Sequence, residues 1–349
     1  MRQRNIRSSL VVAIIALCAA TATTSSQSKA GVALPARLDA YITKNVKLTP
    51  AERTRLLEGA PVVKLLESSP ASEVAAFGGV WINGSPADYV RLVRDIEQFE
   101  RGGAFLVTKR ISDPPQLADF SALKFSQQDL ESLRTCRAGK CEIKLGESAL
   151  QRIRESVDWS KPDAAAAVER LAKQLMLEYS RGYAEAGNDR LAVYRDSSRP
   201  TFVASEFKSM IDRLPELSEH LPDLKAYLLG FPKVTIPNAT SFLYWQEAKF
   251  GLKPTIRINH VVIDDRPGPT VIASKLIYAS HYFWTALDLA VLVPDEPRGP
   301  GFWLVKVMRS RSDGLEGFTG SVIRGRVQNE VQKGTEATLK ATKARLEKR

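Results

Sequence analysis

The chain lacks most of the signatures by which catalytic and metal-binding proteins announce themselves. Its 349 residues include three histidines and three cysteines, too few and too scattered for a His/Cys metal cluster. There is no G-x-G-x-x-G, P-loop, G-x-S-x-G elbow or H-E-x-x-H, so dinucleotide, P-loop nucleotide, serine-hydrolase and zincin chemistry lose their usual markers. The turn at Asp264-Asp265 supplies too few oxygens for calcium. No cofactor and no metal are expected. The longest apolar run, Leu10 to Ala22, falls short of the ~20 residues a bilayer-spanning helix needs. A basic stripe interleaved with aromatics, the mark of a nucleic-acid binder, is also missing. The net charge is +11, yet the basic residues are mostly interspersed with acids, and nucleic acid is not an expected partner. A basic surface also suits anionic lipid headgroups.

What is present is clearest at the N-terminus. Arg2, Arg4 and Arg7 precede the short apolar run, and small residues follow. Ala20-Thr21-Ala22 and Ser28-Lys29-Ala30 both fit a signal-peptidase site. Residues 1–30 therefore read as a cleavable signal peptide, and the protein as exported, periplasmic or secreted. Cys18 follows Leu17, where lipoprotein processing wants a small residue. Removing Arg2, Arg4, Arg7 and Lys29 takes four charges from +11 and leaves +7.

Export gives meaning to the other two cysteines. Cys136 and Cys141 flank Arg-Ala-Gly-Lys, and in an oxidising compartment they are expected to form a structural disulfide. A metal site would need two more ligands, and a redox pair favours the narrower C-x-x-C spacing.

The rest of the chain, 44% hydrophobic and 26% charged, has a globular composition. Residues 31–75 read as an N-terminal helical segment, and 76–349 as an α+β domain. Thr49-Pro50-Ala51-Glu52 and Ser85-Pro86-Ala87-Asp88 are helix starts. Val80–Ile82 and Phe105–Val107 read as strands around the second helix, and Phe120–Phe125 as another. Ser160, with Asp163 three residues on, opens a long helix ending at Gly187. Prolines 200, 215, 222 and 232 punctuate two shorter helices, making 160–232 a helical block.

The last hundred residues turn to strands. Thr255 to Ile263 alternates, with Ile256, Ile258, His260 and Val262 sharing one face. Val271 to Val293 would reach roughly 75 Å if straight, so it must break, with Ala279-Ser280 the expected place. A strand from Phe302 and a helix starting near Gly317 or Gly320 complete the chain. The fold class is α+β: an antiparallel curved sheet, a long C-terminal helix, and the helical block inserted or packed alongside.

Strand geometry tests the histidines. A hairpin about Arg266-Pro267 puts His260 opposite about Ser274 and leaves His281 on the order of 20 Å away. His260 therefore reads as a core residue. A second hairpin about Glu296–Gly299 brings His281 and Tyr282 opposite roughly Asp313 and Gly314, with Arg309 and Arg311 nearby. His281 with Asp313 is thus the candidate catalytic pair. Tyr278, His281, Tyr282, Arg309 and Arg311 are the candidate ligand-binding residues.

The pieces Val80–Arg101 and Val271–Glu347 together resemble the START-like helix-grip superfamily, whose last helix closes an apolar cavity against a curved sheet. The segments Phe242–Trp245, Tyr278–Phe283 and Arg309–Leu315 are similar to those of an exported bacterial family without an assigned activity. The resemblance implies an apolar or lipid-like small molecule under the C-terminal helix. A non-enzymatic binding protein is the leading expectation. A hydrolase or cyclase using His281, Asp313 and Arg311 is the alternative, and a cell-envelope interaction protein is a third.

Overall fold

The computed structural model describes residues 33–249 and 253–348; the expected signal peptide lies outside them. Helix α1 (Ala36–Tyr41) runs into a π-turn at Ile42–Val46 and is followed by α2 (Pro50–Leu57). The Thr49 capping box forms as its sequence implies: Glu52 N donates to Thr49 Oγ1 and Thr49 N to Glu52 Oε2. The hairpin β1 (Val62–Leu66) and β2 (Glu73–Ile82) follows. Ser85 caps α3 (Pro86–Arg94), accepting from Ala87 N, and α4 (Ile96–Phe99) leads to β3 (Phe105–Arg110).

The helical stretch comprises α5 (Gln127–Thr135), α6 (Glu147–Ser156) and α7 (Ala164–Ala186). A small hairpin, β4 (Val193–Tyr194) with β5 (Thr201–Phe202), then α8 (Val203–Ile211) and α9 (Pro222–Gly230), complete it. Five strands run consecutively after that: β6 (Thr240–Ala248), β7 (Thr255–Asp264), β8 (Thr270–Ala279), β9 (Phe283–Pro294) and β10 (Phe302–Ser312). Helix α10 (Gly317–Glu347) ends the chain.

Eight strands form one antiparallel sheet in the order β1-β2-β10-β9-β8-β7-β6-β3. Alternation gives it two chemically distinct faces. One is covered by α1, α2, α8 and α9 over Phe77, Trp81, Leu287, Leu289, Trp303 and Val305, and by α7 over Trp245, Ile256 and Ile258. The helical block therefore shares its core with the sheet. The opposite face is covered only in part. Helix α3 lays Tyr89 and Val93, and α4 lays Ile96, over Val80, Ile263, Leu292 and Leu304. Helix α10 crosses beside them, over β2, where a Cβ on Gly78 would come within 3.0 Å of Leu339 and Thr335. That glycine lets the helix approach the strand. The first turns of α10 stand away from the core, with Phe318 91% exposed.

Three local expectations change. Val62–Leu66, in the segment expected to be helical, is an edge strand. Phe120–Phe125 is not a strand: a 3-10 turn occupies Leu117–Phe120, because Asp119 Oδ2 gathers Ser112 N, Ser112 Oγ and Gln116 N. Ser160 does not cap the long helix; its hydroxyl bonds Asp158, and the helix starts after Asp163. The break in the long β run falls between Ala279 and Phe283, as its length required. Cys136 and Cys141 are disulfide-bonded, and no described helix is long and apolar enough to cross a membrane.

Candidate functional site

The residues singled out from the sequence occupy three separate networks. His281 is buried between α5 and the chain after the disulfide loop: its Nε2 lies 3.1 Å from Asp129 Oδ1 and its Nδ1 3.0 Å from the Glu142 carbonyl. Both ring nitrogens are thus occupied by protein partners, which leaves neither free for a substrate. Asp313 is close in register, its N–H donating to the Tyr282 carbonyl. Its carboxylate, however, takes Trp284 Nε1 and the buried Lys144 ammonium, which Asp196 also binds. Tyr278 donates to the Lys144 carbonyl, and Tyr282 accepts from Lys253 N.

Arg309 and Arg311 form the third network, on the helix-covered face. Arg309 Nη1 reaches Glu73 Oε1 at 2.8 Å and Arg311 Nε reaches Glu73 Oε2 at 2.9 Å. Arg311 Nη1 adds Glu206 at 2.9 Å. These two arginines are brought together, but by a buried acid that fixes them in place.

His260 is the core residue expected from strand alternation. Its Nδ1 meets the Tyr183 hydroxyl at 2.9 Å and its Nε2 the Tyr227 hydroxyl at 3.2 Å. Burial, helped by the charge of Lys275, lowers its pKa to about 3. Lys275 itself is fully buried against Asn188 Oδ1 and the rings of Phe207 and Tyr183. Burial without a carboxylate among these neighbours pushes its amine down to about 7.

A different group sits on the partly covered face, beside α10. The register builds it rung by rung. Lys306 pairs with Gly78 and Ala290; Asp288 pairs with Met308 and Ser274; Asn259 pairs with Tyr244, and Arg257 with Gln246. Each charge is a lone polar residue between apolar neighbours, as in Leu287-Asp288-Leu289 and Val305-Lys306-Val307. The period of two turns it toward this face while its neighbours enter the helix-covered core. Glu100, at the end of α4, comes over the same face, and Gln246 Nε2 donates to its Oε2 at 3.0 Å and to Tyr244 OH at 3.3 Å.

The electrostatics of this group are perturbed throughout. Burial pushes the Glu100 carboxyl up to about 7, against the pull of Arg257, Tyr244 and Lys306, while Asp288 adds to the rise. Burial works against the Lys306 ammonium, yet Tyr89, Asp288 and Glu100 together hold its pKa above the usual lysine value. Burial and then Glu100 raise Tyr244. Two amides complete the set. Gln246 and Asn259 are each 1% exposed, and Gln246 Oε1 and Asn259 Nδ2 have no hydrogen-bond partner among the described residues. Lys306, Asp288, Ser274 and Arg257 are half-buried, so part of each side chain meets solvent.

Among the described residues no cluster of His, Cys, Asp and Glu could hold a metal ion. No protein-family model and no curated protein sequence matches the chain, so its reading rests on fold and site alone. One hint of the site is legible in the sequence: isolated charges inside apolar strands. Glu100 had none, because it lies on a different element.

Proposed function

We propose that this is an exported, non-enzymatic binding protein. Its ligand is a small molecule carrying both a positive and a negative group, held on the open sheet face beside α10. The observation that carries this reading is the half-open ring of Lys306, Arg257, Asp288 and Glu100 around two buried amides with unsatisfied atoms. Buried polar groups in native proteins are almost always paired. A ligand with an anionic end for Lys306 or Arg257 and a cationic end for Asp288 or Glu100 complements the charges that surround these amides. The position beside the terminal helix agrees with the helix-grip resemblance. The lining favours a charged guest over the apolar one that the resemblance implied, since an apolar group there would strip the remaining water from four ionisable side chains. Export rests on the N-terminal sequence and on the disulfide, which suits an oxidising compartment.

Calorimetric titration with free amino acids, against an alkylamine and a monocarboxylate of matching size, tests the reading. Zwitterions are expected to bind, the singly charged analogues at least about tenfold more weakly, a difference of ~1.4 kcal/mol. Asp288→Asn and Lys306→Met are expected to weaken zwitterion binding. Equal binding of all three classes, or of none, refutes the proposal.

A further inference from the structure

Three of the large hydrophobic side chains that stand in solvent lie within the first two turns of α10: Phe318 is 91% exposed, Val322 57% and Ile323 43%. The others among the described residues, Leu106, Leu117, Phe202 and Val234, sit singly on other segments. Single exposed apolar residues are ordinary, whereas a cluster marks an interaction surface. The fold holds this cluster outward. A Cβ on Gly320 would come within 2.6 Å of the Leu315 backbone, so this turn is seated tightly on the preceding loop. Arg324 Nη2, four residues on, donates to Ser68 Oγ at 2.9 Å. With Leu339, Thr342 and Leu346 buried on the same side, the roll of the helix is fixed, and Phe318 and Val322 cannot turn inward.

Charge points to the partner. The lysines of α10 are neutralised within the helix, Lys333 by Glu330, Lys340 by Glu336 and Lys343 by Glu347. That leaves Arg324, Arg326 and Arg345 against Glu316, the residue just before the helix. Arg324 and Arg345 donate to neutral oxygens, those of the Ser68 hydroxyl and the Gln98 carbonyl. Arg326 is exposed and has no ion-pair partner among the described residues. The spacing i, i+4, i+8 puts Phe318, Val322 and Arg326 in one outward row, apolar at its start and cationic two turns on. That order suits a bilayer surface, where apolar side chains pass the headgroups and arginine stays at the phosphates. A second copy of the chain fits less well, because three side chains fall short of the roughly 800 Å² per partner that a stable interface buries.

We propose that the start of α10 docks the protein on an anionic lipid surface, with Phe318 and Val322 entering the headgroup layer, Ile323 at its edge and Arg326 at the lipid phosphates. The surface shares no residue with the charged sheet face and does not depend on a ligand there.

The test is co-sedimentation of the mature protein with vesicles of phosphatidylcholine alone and of phosphatidylcholine mixed with phosphatidylglycerol. Binding to the anionic vesicles is expected, weaker binding to the neutral ones, and loss of the difference in high salt. The double variant Phe318→Ser/Val322→Ser should lower the partition onto anionic vesicles at least about tenfold, with Tm unchanged because both side chains stand in solvent. Arg326→Gln should lower it about fivefold, the contribution of one basic residue near the surface. Phe318→Trp should show a fluorescence blue shift on anionic vesicles larger than that of wild type, as the added indole leaves water. No sedimentation with either vesicle, equal partition of wild type and the double variant, or a Phe318→Trp shift no larger than wild type's overturns the proposal. So does a wild-type dimer in analytical ultracentrifugation that the double variant converts to monomer, because a second copy then covers the patch.

Discussion

Lys275 gives the sharpest energetic prediction. It is 0% exposed, and its ammonium faces an amide oxygen and two aromatic rings. Its pKa falls from 10.5 to about 7 through burial. That gap corresponds to about 4–5 kcal/mol favouring the unfolded chain at pH values below 7. Lys275→Met removes the penalty and keeps most of the apolar stem. It leaves Asn188 Oδ1 without its donor, a cost of about 1–3 kcal/mol, although Asn188 Nδ2 still holds the carbonyls of Leu228 and Leu229. Losing the contacts with Phe207 and Tyr183 costs a further ~1 kcal/mol. The net expectation is a variant more stable than wild type by roughly 1–2 kcal/mol at pH 6.

The pH dependence has a definite sign. A depressed lysine means that the unfolded chain binds the extra proton between about 7 and 10.5, so wild-type stability rises with pH across that window. The slope of this contribution is at most ~1.4 kcal/mol per pH unit. The variant lacks it, and the two curves must converge and cross as pH increases. Urea unfolding followed by tryptophan fluorescence measures both curves. A Lys275→Met protein that is less stable at pH 6, with a pH profile parallel to wild type, refutes the reasoning and means that the ammonium is compensated in the fold.

Other outcomes follow from the same interactions. Glu73→Gln should cost about 3–5 kcal/mol, since it leaves Arg309 and Arg311 buried with half their partner; chemical denaturation measures it. Gly78→Val should destabilise by about 1–3 kcal/mol by pressing on Leu339 and Thr335, and should loosen α10, seen as faster amide exchange there. The Glu100 carboxyl is raised from 4.5 to about 7, so its contribution to stability is complete below pH 4.5 and is lost as pH rises through 7. Glu100→Gln should remove that loss, and it should also flatten the pH dependence of zwitterion affinity, which is expected to increase as Glu100 ionises. His260, lowered to about 3, acts in the other direction: its contribution is present above pH 6.5 and falls away toward pH 3. His260→Gln should therefore weaken acid denaturation in that window.

Much of the sheet was legible because strand geometry is periodic and length-limited. The break after Ala279 followed from the reach of an unbroken strand. The β7–β8 register came within one residue: Val261, rather than His260, pairs with Ser274. Across the next hairpin the Tyr282 carbonyl meets Asp313 N, against an expected position opposite Gly314, again one residue away. Side-chain partners across the chain were not legible. His281 meets Asp129, 152 residues earlier in sequence, and nothing in either local pattern connects them. Glu73 and Glu206, which claim the two arginines, belong to β2 and α8, and no hairpin argument reaches them. The edge strand β1 is five residues long, too short for its alternation to stand out. The charged sheet face needed both the register, which places Lys306 and Asp288, and the crossing of α3 and α4, which delivers Glu100.

The most direct test of the binding proposal is a crystal structure of the mature protein grown with the amino acid that binds best in solution. The ligand is expected on the open sheet face, one end within hydrogen-bonding distance of Lys306 or Arg257 and the other near Asp288 or Glu100. A ligand bound elsewhere, with that face untouched, contradicts it.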